Sequence, residues 1–495
     1  MAPRLSKSQY LRGRQCLKSL WLYNYRADLR TLPSPGLQRI FDQGHRIGAL
    51  ARARYPEGRL ISAGPQHLSE ALAQTAQALA EGATALFEAA FLHDGVLVRT
   101  DILLRMGDAW ELIEVKGSTE VKDIYLQDLA IQRYVLAGAG LDIRKACIMH
   151  VDNEYVRQGR LDLSRLLRKE DLTAATAPLL ENLPRTLAGM RQLLDCAQVP
   201  DIAIGQQCTS PYACEFIPHC WRDIPEYSVY DLKRAHFEKI NELRSRGIMR
   251  LEDIPDDFPL SEAQTMQVRV AKTNTPHIDR SGIRDCLAGL RYPLYYLDFE
   301  TVALAVPPYD GLRPFQPLPF QASLHVQDDP DGPLRHLEYL AEPGPDPRPG
   351  MVEFLTRRIG PEGSLVVYNA NFEGGRLAEL AEYCPEQAPA LLSMKARLWD
   401  LIIPFRSLLF VHPACRGSAS MKAVLPALVP EMSDKGLAIN NGEMAAIAYE
   451  LLMSGPAAPE QKQQTLADLR IYCGQDTLGM VEVLKVLRRE ISARG

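Results

Sequence analysis

The chain has 495 residues, of which 46% are hydrophobic and 24% charged; it is too long for one ordinary core, and two or three globular domains are predicted. A formal net charge of -5 excludes indiscriminate coating of nucleic acid, so backbone binding must come from local basic patches. No stretch reaches the roughly 20 apolar residues of a membrane span and the start has no apolar run of secretory length, so the chain is expected in the cytoplasm, with no membrane partner.

Residues 1–30 carry Arg4, Lys7, Arg12, Arg14, Lys18, Arg26 and Arg30 against the single acid Asp28, either a phosphate-contacting face or a solvated helix surface. To about residue 225 the pattern reads as helices, two strands and further helices. VLVRTDILLR and WELIEVKG are the strands, and MGDA between them is a hairpin signal. A helix is predicted from Asp123 to Leu136, stopped by AGAG. Residues 226–289 read as a charged, helical connector, in which ELRSRGIMRLEDI resembles a helix-hairpin-helix contact. The segment 290–495 opens on YPLYYLDFETV, the near-continuous apolar run of a buried strand. PFQASLHVQ, HLEYLAE and SLVVYNA supply neighbouring strands, and interleaved helices make this an α/β domain with a mixed sheet. No GxxxxGK[ST] phosphate loop occurs, so a helicase partner would be a separate chain.

Glu114 and Lys116 are two apart on the second hairpin strand, hence on one face, and pairing across the turn can bring Asp101 beside them. Two carboxylates and a lysine at one strand end can hold Mg2+ or Mn2+ through oxygen ligands. Such an ion polarises a phosphate, while the lysine orients water or stabilises transition-state charge. The alternative is a surface hairpin with an ordinary Glu/Lys pair; charge embedded in apolar strands favours the metal. D-x12-E-x-K followed by a helix resembles the PD-(D/E)XK nucleases, in their RecB and AddB branch, which have a restriction-endonuclease-like α/β fold. That resemblance implies a catalytic role for Asp101, Glu114 and Lys116 and adds His45, in FDQGHRIGALA, as an upstream metal ligand. Glu88 is a further acidic candidate; the branch's Q-x-x-x-Y is not reproduced cleanly on the following helix, where DLAIQRY gives Gln132 and Tyr134, with Asp128 one turn before Gln132.

CTSPYACEFIPHC gathers Cys208, Cys214 and Cys220, with Cys16 far upstream. In a cytosolic chain such thiols are reduced or bind metal rather than forming disulfides. One distant cysteine plus a C-terminal trio resembles the iron–sulfur nucleases of the AddB group and of CRISPR adaptation, which implies a 4Fe-4S cluster tying the domain's two ends together. Four thiolates suit that cluster or tetrahedral zinc, and the two five-residue gaps keep zinc as the alternative. Cys147, Cys196, Cys286, Cys384, Cys415 and Cys473 show no grouping and read as core residues.

LDFET places Asp298 and Glu300 on one face at the end of a buried strand; VVYNANFEGG places Glu373 after another; IYCGQDT places Tyr472 and Asp476 four apart on a helix. Acids from three segments can hold two divalent ions roughly 3.5–4 Å apart, the spacing that clamps a phosphodiester. DxE, then N-x-x-F-[DE], then Y-x-x-x-D resembles the DEDD exonucleases of the ribonuclease-H-like superfamily, in their tyrosine subclass. The resemblance implies that Asp298, Glu300 and Asp476 bind metal and that Tyr472 orients the attacking water. Glu373 stands where that family has aspartate. Tyr309, Phe315 and Phe320 are candidate base-stacking residues.

LSKSQYLRGRQCLKSLWLY, EVKGS, the cysteine trio and the stretch from YLDFET to YCGQDT occur here in the order of a bacterial family of unknown function. Its members join a RecB-like nuclease to a ribonuclease-H-like domain, and the similarity runs nearly end to end. The function expected is a Mg2+- or Mn2+-dependent nuclease acting on DNA, single strands or ends, in repair, recombination or defence. The alternatives are a nucleic-acid-binding scaffold with one active nuclease domain and an RNA-trimming exonuclease.

Overall fold

The computed structural model describes residues 5–64, 66–432, 436–455 and 458–492. The chain is mixed α/β and divides into two compact units, Met1–Asp223 with Leu304–Gln316, and Ile224–Ala303 with Pro317–Gly495. Two stretches depart from the predicted boundaries. The connector is not separate: it clusters with the C-terminal unit, where Val229, Leu243, Leu251 and Val268 form a small core. Leu304–Gln316 belongs to the N-terminal unit, because Ala305 and Val306 are buried with Ile47 and Val151 and Arg157 donates to the carbonyls of Pro307 and Pro308.

In the N-terminal unit, β1 (Leu5–Ser6), β2 (Arg59–Leu60), β3 (Ala85–His93), β4 (Val96–Met106), β5 (Ala109–Lys116), β6 (Ile143–Val151) and β7 (Leu167–Asp171) form one mixed sheet. Its order is β2-β3-β4-β5-β6-β7, with β1 parallel to the start of β4. The helices are α1 (Lys7–Gln15), α2 (Leu17–Tyr25), α3 (Pro35–Arg52), α4 (Leu68–Ala80), α5 (Asp123–Gly138), α6 (Leu163–Leu166), α7 (Thr173–Leu194) and α8 (Ile217–Cys220). The predicted hairpin is β4–β5, closed at Gly107, whose φ of 65° suits a tight turn. The predicted helix is α5, which packs over the sheet through Leu129, Val135 and Leu136. β3, β6 and β7 are strands not expected from the sequence. β6 is buried continuously from Ala146 to Val151, so it lacks the polar alternation that marks a strand.

The C-terminal unit begins with α9 (Phe237–Ser245), α10 (Glu262–Thr273), β8 (His277–Ile278) and α11 (Arg280–Leu287). β9 (Leu294–Val302), β10 (Leu318–Gln327) and β11 (Leu334–Leu340) follow, then α12 (Arg348–Arg358), β12 (Ser364–Val367), α13 (Ala370–Tyr383), α14 (Ala388–Ala396) and β13 (Leu398–Asp400). The chain ends with α15 (Ile403–Arg406), β14 (Phe410–Val411), α16 (Met421–Leu428), α17 (Gly442–Ser454) and α18 (Pro459–Ser492). The main sheet runs β11-β10-β9-β12-β13, antiparallel through β11, β10 and β9 and parallel through β9, β12 and β13. Tyr295, Leu297 and Phe299 pack with Leu355 and Leu377 on one face, while Tyr296 packs with Met480 and Leu484 of α18 on the other. Strand alternation therefore turns Asp298 and Glu300 toward α18. Among the described residues, no helix is long and apolar enough to cross a membrane.

Candidate metal centres

In the N-terminal unit, pairing of Ile102 with Ile113 leaves Asp101 and Glu114 at the next positions of β4 and β5, and the Val115 N–H donates to Asp101 Oδ2 at 2.7 Å. Lys116 Nζ lies 2.8 Å from Glu114 Oε1 and 2.7 Å from Asp128 Oδ2. Gln132, one turn along α5, donates to Glu114 Oε2 at 2.7 Å and to Asp128 Oδ1 at 2.9 Å. A second lysine completes the group: Lys7 Nζ stands 2.6 Å from Glu114 Oε1 and 3.1 Å from Asp128 Oδ1. The pairing of β1 on β4 and a capping box between Ser6 and Gln9 fix the start of α1, and so Lys7.

Burial and the Asp101 and Asp128 charges push Glu114 up to about 7, against the two lysines. Burial also pushes Asp101 up. Burial disfavours the Asp128 anion too, but Lys7 and Lys116 overcome it and hold that carboxyl far below the usual range.

His45 is exposed on α3 and makes no hydrogen bond or ion pair with this group among the described residues. Its neighbour Gly44 does approach: the Gly44 Cα lies 3.5 Å from where a Cβ on Gly117 would be. Glu88 pairs with Arg52 at 3.5 Å and Arg99 at 3.8 Å, and Tyr134 turns away to Asp94. The basic N-terminal face is largely engaged. Lys7 is in the carboxylate group, Arg12 and Arg30 pair with Glu215, and Arg26 pairs with Asp28. Arg4 lies outside the described residues.

Cys16, between α1 and α2, lines one small cavity with Cys208, Cys214, Cys220 and Phe216. The charges of Cys214 and Cys208 act on Cys16, and those of all three on Cys220. Four thiolates are the donor set of a four-sulfur group, although among the described residues no three of these sulfurs lie within 4.8 Å of one another. The Tyr212 phenol, in the cysteine loop, is pushed up by burial and by Tyr125, whose ring lies 5.1 Å from Lys116 Nζ.

In the C-terminal unit, β9 carries Asp298 and Glu300 beyond Tyr296, its last position paired with β12, at the strand end where open α/β sheets bind ligands. Asp400 accepts the Asn369 and Ala370 N–H groups at 3.0 and 3.1 Å, fixing the start of α13, whose first turn bears Glu373. From α18, Tyr472 stands one turn before Asp476, whose charge acts on it, and Cys473 Sγ stands 4.0 Å from Asp298 Oδ2. Ligand atoms of Asp298, Glu300 and Cys473 all lie within 4.8 Å of one another, the single such metal-ligand group among the described residues. A Cβ on Gly442, the first residue of α17, would stand 3.4 Å from Glu300 Oε2.

Burial, then the Glu300, Asp476 and Glu373 charges, push Asp298 far up. Glu300 is pushed up to about 8 by burial and Asp476, with Lys422 opposing. Burial, with Asp400 adding, takes Glu373 to about 8 as well. Glu373 is 2% exposed and its Oε2 has no hydrogen-bond partner. The Tyr472 phenol, pushed far up by burial and by Asp476, remains a hydrogen-bond donor. Buried carboxylates in such proximity cannot all ionise unless a cation or protons compensate them.

Residues 295–420 match a family described as "Domain of unknown function (DUF2779)". The DUF2779 match takes in Asp298, Glu300, Glu373 and Asp400 and stops before Lys422, Tyr472, Cys473 and Asp476. The chain is also similar to "Uncharacterized protein UU173" of Ureaplasma parvum serovar 3, 27% identical over 54% of this chain and 42% of that protein. A second relative, "Uncharacterized protein MG366 homolog" of Mycoplasma pneumoniae, is 28% identical over 38% of this chain and 31% of its own length. The matched regions thus span less than half of either relative.

Three residues of these centres were not expected. Lys7 reads in the sequence only as one cation of a basic face. Cys473 is a correction, since it is no mere core thiol but touches the carboxylate group. Lys422, whose Nζ lies 5.7 Å from the Tyr472 ring centroid, comes from the GSASMKAVLP stretch. Its signal in the sequence is a lone lysine in an otherwise uncharged run. Phe320 is fully buried and stacked on Tyr449, which removes it from the base-stacking candidates, and Phe315 packs into the N-terminal unit.

Proposed function

We propose that the chain is a metal-dependent nuclease acting on DNA, on single strands or ends. In this reading the C-terminal unit is a ribonuclease-H-like exonuclease domain of the DEDD type, trimming in the 3'-to-5' direction. The N-terminal unit is a RecB- and AddB-like PD-(D/E)XK domain, stapled by a 4Fe-4S cluster or zinc on Cys16, Cys208, Cys214 and Cys220. The observation that carries the reading is the acidic group of the C-terminal unit, with Glu300 and Glu373 buried and Asp298 and Asp476 half-buried: the charges of Glu300, Asp476 and Glu373 act on Asp298, that of Asp476 acts on Glu300, and Lys422 is the cation that opposes it. A set of carboxylate oxygens fits a hard divalent ion.

Asp298, Glu300 and Asp476 would hold Mg2+ or Mn2+. Such an ion supplies Lewis acidity toward a phosphodiester and makes water a stronger nucleophile. Tyr472, kept protonated by burial and by the Asp476 charge, can donate a hydrogen bond to a water or to a phosphate oxygen. Lys422, beside the Tyr472 ring, brings positive charge to where phosphate charge develops. Asp101 and Glu114 also fit a divalent ion, but Lys7 and Lys116 already occupy Glu114 Oε1. That observation favours a second reading, in which only the C-terminal unit cuts and the N-terminal unit grips nucleic acid.

Purified protein given Mn2+ and end-labelled single- and double-stranded DNA, with RNA alongside, tests both readings. Shortening of DNA from the 3' end, lost in Asp298→Asn, is expected; Lys116→Ala then reports whether the first centre also cuts. Preferential trimming of RNA would change the substrate. Wild-type protein inert on every substrate, or cleavage indifferent to Asp298→Asn, would overturn the proposal.

A further inference from the structure

Cys473 is fully buried on the face of α18 that meets the end of β9, with its sulfur 4.0 Å from Asp298 Oδ2 and within 4.8 Å of a Glu300 oxygen. A single ion with bonds of roughly 2.3 Å to sulfur and 2.1 Å to oxygen sets such atoms roughly 3.6 Å apart on a tetrahedral edge, so only a small closure is needed. The thiol is thus already near coordination distance before any ion enters. The second observation is Glu373: its Oε2 is buried without a hydrogen-bond partner, and its charge acts on Asp298. A half-buried aspartate beside two buried glutamates, one with an orphaned oxygen, and a buried thiol lacks a cation rather than a packing partner.

We propose that Cys473 is a metal ligand of this centre, giving it a mixed sulfur–oxygen donor set, with Asp298 and Glu300, that takes zinc, cobalt or cadmium in preference to magnesium. The inference rests on reading these acids as a metal centre, but not on nucleolysis. When the ion enters, the sulfur–metal bond forms and the thiol proton leaves to solvent, with no change of oxidation state. A thiolate selects softer ions than carboxylates alone do, and zinc and cobalt also stand above magnesium in affinity for borderline sites. A purely structural Cys473 would do no more than donate a weak hydrogen bond to Asp298.

Cadmium NMR of the full chain separates these roles, because a centre with one sulfur among oxygens resonates well away from a four-sulfur centre. Cadmium-loaded wild-type protein should give a mixed sulfur–oxygen signal besides any four-sulfur signal from the Cys16 quartet. In Cys473→Ser that signal should be lost or move to the all-oxygen range, and Asp298→Asn should lose it too. The four-sulfur signal and the far-ultraviolet dichroism serve as controls for folding in both variants. A wild-type spectrum without a mixed signal, or one that persists unchanged in Cys473→Ser, overturns the inference. Nuclease assays on the same samples keep the two proposals apart: a mixed signal without cleavage sinks the function and leaves the ligand, and cleavage without the signal does the reverse.

Discussion

Lys7 Nζ and Lys116 Nζ both donate to the same oxygen, Glu114 Oε1, at 2.6 and 2.8 Å. One carboxylate oxygen between two ammonium groups is how this unit balances a buried charge without a metal, and it makes Lys7 a competitor for any divalent ion. Breaking one arm of a buried ion pair leaves the partner uncompensated. Lys7→Met should therefore cost about 2 kcal/mol of stability in chelator. Added Mn2+ should restore more stability to Lys7→Met than it gives the wild type. Urea unfolding with and without Mn2+ reads both effects, and an equal response of the two proteins to the ion would remove Lys7 from the centre.

The C-terminal acids predict an unusual pH dependence. Glu300 and Glu373 are raised from an ordinary 4.5 to about 8 in the folded chain. A carboxylate raised on folding holds its proton more tightly in the native state. The stability that these two groups contribute is therefore fully present below about pH 4.5 and is lost as pH rises toward 8, by up to about 1.4 kcal/mol per pH unit for each group. In chelator, Glu300→Gln should flatten this decline and make the protein more stable than wild type at pH 8. Saturating Mn2+ should flatten it in the wild type alone. Denaturant melts across that pH range test the sign; a wild type that gains stability toward pH 8 in chelator would contradict it.

Much of this was legible in the sequence because charge stood where apolar patterning forbids it. Asp101, Glu114, Asp298 and Glu300 lie among apolar, largely buried strand neighbours such as Ile102, Ile113, Leu297 and Phe299, and that contrast marks them in the sequence itself. β9 and the β4–β5 hairpin were equally visible, one as an apolar run and the other through its Gly107 turn. β6 escaped because both its faces are buried. Lys7 escaped because its partner Glu114 lies 107 residues away, a pairing that only the docking of β1 on β4 creates. Cys473 escaped for a local reason, since a thiol on the buried side of a helix looks like core until the strand it faces is known to carry acids.

The cysteine quartet predicts a colour. Protein purified without oxygen should be brown and absorb in the visible through sulfur-to-iron transitions. Cys214→Ala should abolish that absorption. Because α1 links Cys16 to Lys7, and Gln15 at its end donates to the Gln207 and Tyr212 carbonyls of the cysteine loop, the variant should also lose stability in the N-terminal unit. Elemental analysis accompanies the spectrum: colourless protein carrying zinc would replace iron with the alternative ion, and colourless protein without bound metal would remove the cluster.

The most direct measurement is a calorimetric Mn2+ titration of the wild type against a variant carrying Asp298→Asn and Asp476→Asn together. If these carboxylates exist to grip divalent ions, the variant should unfold as cooperatively as the wild type and yet bind fewer Mn2+ ions per chain. A folded variant that takes up Mn2+ with the wild-type stoichiometry and affinity would mean that these acids serve some other end.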